Sequence, residues 1–200
     1  MGKPKGETMQ RTTNKQTEKL VTVSVLIALI AVLQAFSSVA ARIGLFSFAL
    51  GLFPATIGSV MYGKRESLLF GAVLGAVILA TDATAWALFS VNFIGTVLVV
   101  MLKSMASTLV VSVIFGLLSK TNRTLAAVLG AVCAPIVNTV IFVTGVCIFF
   151  EDFFKPAVAD AVPFFVGLIL LLLVNFIIEM IINVVLSPVV LRVVDMKKKR

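Results

Sequence analysis

The sequence predicts an all-α, polytopic membrane protein with six transmembrane helices in one bundle, and three observations carry that prediction. Hydrophobic residues make up 60% of the 200-residue chain and charged ones only 13%. The mean hydropathy is +1.14, the composition of a chain solvated by lipid rather than water. The apolar residues fall into six runs parted by short polar breaks. Fourteen of the seventeen Lys and Arg lie in the two tails and in alternate breaks, as the positive-inside rule requires of an even number of crossings.

Residues 1–19 are polar, carry five basic residues and lack an apolar period, so they are read as a mobile aqueous tail. Leu20 to Phe36 follows. With Ser38, Val39 and Ala40 it imitates a signal peptide and its cleavage site. The run is long for an h-region of roughly 7 to 15 residues, however, and its removal would leave an odd helix count, so a first transmembrane helix is expected. Ser24, Ala28, Ala31, Ala35 and Ser38 draw a narrow stripe of small residues down one side of it, a surface that lets another helix approach closely in lipid.

After a break containing Arg42 and Gly44, a second run spans Phe48 to Tyr62, with Pro54 kinking it or marking its first turns. GKRE (63–66) reads as a tight charged turn. The third run, Leu68 to Ala80, carries Gly71 and Gly75 as a GxxxG pair. ATDATAWALFSVN, with Asp82, Trp86 and Asn92, reads as an interfacial loop with a Trp at headgroup level. The fourth run is Phe93 to Leu118, apolar apart from Lys103 and some hydroxyls. A turn with Lys120 and Arg123 leads to the fifth, Leu125 to Phe150, which contains Pro135 and Asn138. The acidic loop EDFFKPAVAD (Glu151, Asp152, Lys155, Asp160) precedes the sixth run, Pro163 to Leu191. Residues 20–192 therefore form the transmembrane domain, and 193–200 a basic tail on the same side as residues 1–19. Both termini are expected in the cytoplasm of a bacterial cell.

The +8 net charge is accounted for by topology and contact with anionic membrane lipid, so no nucleic-acid partner is implied. Histidine is absent, which removes the commonest general base and metal ligand. The only cysteines, Cys133 and Cys147, lie in apolar sequence and read as packing. Neither a cofactor nor a metal site is implied. No GxxxxGK[ST] is present, so the chain does not bind ATP in the P-loop manner. Nor does an inverted repeat of charge or Gly/Pro pattern mark it as a self-sufficient transporter.

Against this apolar background a few polar residues stand out. Asn175, Glu179 and Asn183 recur every fourth residue and so share one face of the sixth helix. Counted from the outer ends at about 1.5 Å per residue, Lys103, Asn138 and Asn175 all lie roughly 16–18 Å deep on three separate helices, with Glu179 one turn further in. One reading is a pocket for a small polar molecule, with Lys103 meeting a carboxylate or carbonyl, Asn138 and Asn175 hydrogen bonding, Glu179 as counter-charge, and Trp86, Asn92 and Asp82 closing it from outside. In the other, Lys103 and Glu179 form an internal ion pair, the asparagines hold helices together, and Trp86 and Asp82 are interfacial anchors.

From Leu20 to Arg192 the chain resembles the substrate-binding S components of energy-coupling factor (ECF) vitamin transporters. The resemblance rests on AVLQA in the first helix, which is similar to the family's AxxxA element, and on LFPATIGSVMYGKRESLLFGAVLGAV, similar to its short second helix, glycine turn and Gly-rich third helix. APIVNTVIF and NFIIEMIINVVLSP add fifth- and sixth-helix patterns. The resemblance implies a non-catalytic subunit that binds a vitamin or related micronutrient from outside, within helices four to six. It also implies docking, through Ala28, Ala31 and Ala35, on a transmembrane coupling subunit that works with two cytoplasmic ATPases. Lys103 suits an anionic vitamin such as pantothenate. Two other readings stay open: an ion-coupled secondary transporter with Glu179 as proton site, and a lipid-modifying membrane enzyme using Glu179 or Asp82 as acid or base.

Overall fold

A computed structural model describes residues 5–42, 49–155 and 163–199. Side chains are described from Gln16 onward in the first helix and at a subset of positions in the last, so Gly44, Asp160 and the Asn175 side chain lie outside the described set. Among the described residues the structure is helical, without strands: α1 (Lys5–Arg42), α2 (Leu52–Tyr62), α3 (Lys64–Thr81), α4 (Ala83–Val91), α5 (Phe93–Leu118), α6 (Arg123–Phe149), α7 (Glu151–Phe154) and α8 (Phe164–Lys199).

Several boundaries differ from the sequence reading: α8 runs on to Lys199 through the stretch read as a basic tail, α7 forms within the acidic loop, and three further differences have a local reason. α1 starts at Lys5 instead of Leu20. Glu, Gln, Met, Lys and Arg are good helix formers, and extending an existing helix needs no new nucleus. Lys19, near the end of this extension, pairs with Glu66 and lies over the Tyr62 ring, 5.8 Å from its centroid. The charged turn at 63–66 shrinks to Gly63 alone, whose φ of 91° is a conformation that L side chains rarely adopt. α3 begins at once, with Glu66 in its first turn, where the helix dipole favours an anion. The stretch read as an interfacial loop is the helix α4, set at 79° to α3. Asp82 makes that corner by accepting hydrogen bonds from the Thr84 and Ala85 amides at 2.8 and 3.3 Å, as a helix N-cap does. Asn92 caps α5 through Gly95 (2.9 Å), and Asn122 caps α6 through Leu125 (3.0 Å).

By length and apolarity, three segments among the described residues qualify as membrane spans: Gln16–Ala41, Phe93–Leu118 and Arg123–Phe149. α3 and α4 taken as one bent span make a fourth, while Leu52–Tyr62 is a shorter apolar helix and Phe176–Val189 is an apolar stretch of α8 among the described residues. The outward faces are apolar, with Leu98, Leu102, Leu117, Val140 and Ile148 all more than half exposed, as lipid solvation requires.

α5 is the hub, packed against α3 on one side and α6 on the other, and α6 packs in turn on α8. The GxxxG pair makes the α3–α5 seam. A Cβ on Gly71 would lie 2.6 Å from the Met105 Cα, and one on Gly75 would lie 2.8 Å from the Met101 sulfur. Two apolar cores result, one around Ile30, Leu52, Phe70 and Leu74, the other around Leu88, Val99, Val146 and Phe150. The cavity described next is walled by members of both.

Candidate functional site: a polar chamber between two apolar cores

Ile78, Ala85 and Val100 from the first core, Leu88 from the second, and Phe142 and Leu172 packed against the second all line a partly open cavity of about 140 Å³. Its polar lining comes from five helices: Gln34 (α1), Asp82 (at the α3–α4 corner), Thr84 (α4), Lys103 (α5), Asn138 and Thr139 (α6) and Glu179 (α8), with Ala49 from the stretch before α2. Thus Lys103, Asn138 and Glu179, predicted on three separate helices, do face one chamber.

The charges within it are unequally satisfied. Glu179 is 9% exposed, and its Oε1 accepts the Ala49 amide proton at 3.0 Å. The Asn138 side chain also hydrogen bonds to this carboxylate. Asp82 is held by its two capping amides. Lys103, by contrast, rests its ammonium against the face of Phe142, 4.7 Å from the ring centroid. Among the described residues no hydrogen-bond acceptor or paired carboxylate reaches it, although Glu179 and Asp82 are the charges that act on it electrostatically. A cation–π contact is worth about 0.5–2 kcal/mol and offers an ammonium no acceptor for its three N–H groups. The internal Lys103–Glu179 ion pair of the alternative reading is therefore not formed among the described residues.

Other predicted site residues go elsewhere. Trp86 is 56% exposed, and its indole N–H donates to the Leu79 carbonyl at 3.1 Å, so it anchors the α3–α4 corner from outside and does not line the chamber. Asn92 is spent on capping α5. Asn183, on the Glu179 face, is buried with its Nδ2 donating to the Glu179 carbonyl at 2.8 Å and its Oδ1 without a partner. Neither Asn92 nor Asn183 lines the chamber. Asn175 lies within α8, with its side chain outside the described set.

Gln34 was missed. Its Oε1 accepts the Gly51 amide proton at 3.3 Å, and it is buried. The signal was present, a lone amide inside the first apolar run, and it is the same kind of signal that marks Asn138. On α1 the inward face is Leu26, Ile30, Gln34 and Ser37, four residues or three apart. Ala28 lies on the exposed side with Val25, Leu29 and Val32, while Ala31 and Ala35 are half-buried at the edge. The small-residue stripe thus starts on the exposed side at Ser24 and Ala28 and turns inward at its end, where Ser38 is buried and shares a hydrogen bond with Thr81 of α3.

A bundle with an apolar exterior and a charged, partly open interior has the build of membrane proteins that keep polar chemistry inside a helical wall. Its family is then set by comparison: residues 18–191, nearly the whole chain, match the model of the ECF transporter, substrate-specific component. The chain belongs to that family, one of transporter subunits and not of enzymes. Comparison with curated proteins and with solved structures gave no match.

Proposed function

We infer that the chamber is the substrate site of an ATP-driven ECF importer, and that its substrate is a small acid or strongly polarised carbonyl compound of the vitamin class, pantothenate being one example. Lys103 carries this reading. It is a cation in a cavity whose two carboxylates already have donors, so the unmet need is for an acceptor. Asn138 and Thr139 flank that position with further hydrogen-bonding groups, and Phe142, Leu172 and Phe176 supply apolar wall. The chamber volume sets the scale of the ligand: an apolar cavity of about 150 Å³ takes up benzene, so the fully enclosed part of the substrate is of single-ring size.

In the same reading the chain crosses the membrane six times with both termini cytoplasmic, and it hands substrate on through a coupling subunit driven by two ATPases. The exposed side of α1 around Ala28 is the docking surface. The test is to purify the chain in detergent, identify co-purifying small molecules by mass spectrometry, and titrate a vitamin panel. Tight binding of an acid, with uptake in proteoliposomes only when the coupling subunit and ATPases are added, is the expected result. Uptake by the chain alone under an ion gradient would overturn it in favour of a secondary transporter.

A further inference from the structure

A second cavity of about 230 Å³ lies between α6 and α8, beside the chamber. Its lining is almost wholly hydrocarbon: Ile136, Val140 and Val143 from α6, Ile169 and Leu173 from α8, with the hydroxyl-bearing Thr139 and Thr144. Thr139, Leu172 and Phe176 line both spaces, so among the described residues these three side chains stand between an apolar groove and a chamber whose lysine has no acceptor among the described residues. We propose that the substrate is an amphiphilic acid whose carboxylate seats in the chamber at Lys103 and whose apolar part lies across this wall in the α6–α8 groove.

The inference rests on the chamber being the substrate site and adds the substrate's shape. Three features of the groove favour this occupant. It adjoins the site along a shared wall. It offers an apolar ligand a volume larger than the roughly 150 Å³ that accommodates benzene. Of the three charges in the adjoining chamber, Glu179 and Asp82 already accept backbone amide protons and Lys103 is the cation, which places the acid end of an amphiphile at the chamber end. Leu172 and Phe176 in this wall are only partly buried, each with a cavity on either side of it.

The experiment measures binding of acetate, butyrate, hexanoate and octanoate to the purified full-length protein in lipid nanodiscs, for wild type, Val140→Trp, Leu173→Trp and Lys103→Met. Val140 and Leu173 line the groove but not the chamber, and both are exposed enough, at 57% and 38%, to accept a larger side chain. Wild type is expected to bind tighter by roughly fourfold per added methylene until the groove is full. The two Trp variants are expected to bind acetate as wild type does and to show little gain with length. Retained acetate affinity also shows that they have folded. No gain with length in wild type, whether because a lipid chain holds the groove or because the ligand ends at the wall, overturns the proposal. An equal gain in the Trp variants overturns it too, by placing the tail elsewhere. The same length dependence in Lys103→Met reports partition into the bilayer and also overturns it. If wild type binds none of the four acids, the chamber reading itself fails and the extension falls with it.

Discussion

Lys103 and Glu179 are both charges at membrane depth, yet they have different occupations. Glu179 serves the backbone: it takes the Ala49 amide proton and the Asn138 side chain and so is supplied from within the fold. Lys103 has an aromatic face and no acceptor among the described residues. Replacing it with Met keeps the stem's packing and removes the charge. Hydrogen bonds to charged groups are worth about 1.5–3 kcal/mol, so Lys103→Met should weaken substrate binding on the order of 10- to 150-fold while thermal stability holds or rises. Unchanged affinity by titration would remove the lysine from the site. Asn183 gives the opposite expectation. Its Oδ1 is buried without a partner and it lies outside the chamber lining, so Asn183→Leu should leave affinity unchanged and stability equal or improved by up to about 1 kcal/mol. A loss of binding would return Asn183 to the site that its spacing from Glu179 suggested. The sequence made such residues visible but not their occupation. A short polar side chain beside an apolar run looks the same whether it caps a helix, as Asp82 and Asn92 do, or faces a cavity, as Asn138 does. What separates them is the backbone direction a few residues on.

The least conventional element is the second crossing. Lys19 and Glu66 are paired, so by the start of α3 the chain has come back to the level at which the apolar part of α1 began. α2 has only 11 residues, about 16 Å of helix, and cannot make that return alone. Residues 49–51, immediately before it, are non-helical chain at depth. Gly51 is bonded to Gln34, two turns in from Arg42, and Ala49 is bonded to Glu179 on α8. Backbone at such depth needs donors and acceptors from protein, because lipid supplies none. Gln34 and Glu179 meet that need, which explains two costly polar groups without any reference to substrate. It also explains why this stretch reads as an apolar run although α2 is too short to span. Gln34→Leu should leave the Gly51 amide unsatisfied and cost about 1–3 kcal/mol, read as a lower melting temperature in detergent. The α3–α5 seam is the second test at this scale. Gly71→Val would push a Cβ against the Met105 backbone, which cannot swing aside, and overpacking of that kind costs about 1–3 kcal/mol. A variant as stable as wild type would mean that the seam is looser than the distances state. Here the sequence was fully legible, because GxxxG encodes a close approach by what it leaves out.

For the whole molecule the open quantity is the number of crossings, and charge and contact bear on it independently. The pairing of Lys19 with Glu66 puts the N-terminal helix extension, which carries Lys5, Arg11 and Lys15, at one end of the bundle with the Gly63 turn and its Lys64 and Arg65. The turn holding Lys120 and Arg123 and the terminal run Lys197 to Arg200 carry the same sign of charge. The stretch after α6 is acidic and partly self-neutralised, with the Lys155 ammonium 3.0 Å from Asp152 and 3.2 Å from Glu151. Six crossings place all the basic breaks in the cytoplasm and the acidic one outside. If the second crossing did not reach the far side, Lys64 and Glu66 would lie at the opposite end of the bundle from Lys19, and the Lys19–Glu66 pair could not form. In a background with Cys133 and Cys147 replaced by alanine, single cysteines at Lys15, Lys64, Lys120, Asp152 and Lys198 test this with a membrane-impermeant maleimide on intact cells. Asp152→Cys should label directly, and the other four only after permeabilisation. External labelling of Lys64→Cys would contradict the second crossing, and labelling of Lys15→Cys and Lys64→Cys together would invert the molecule.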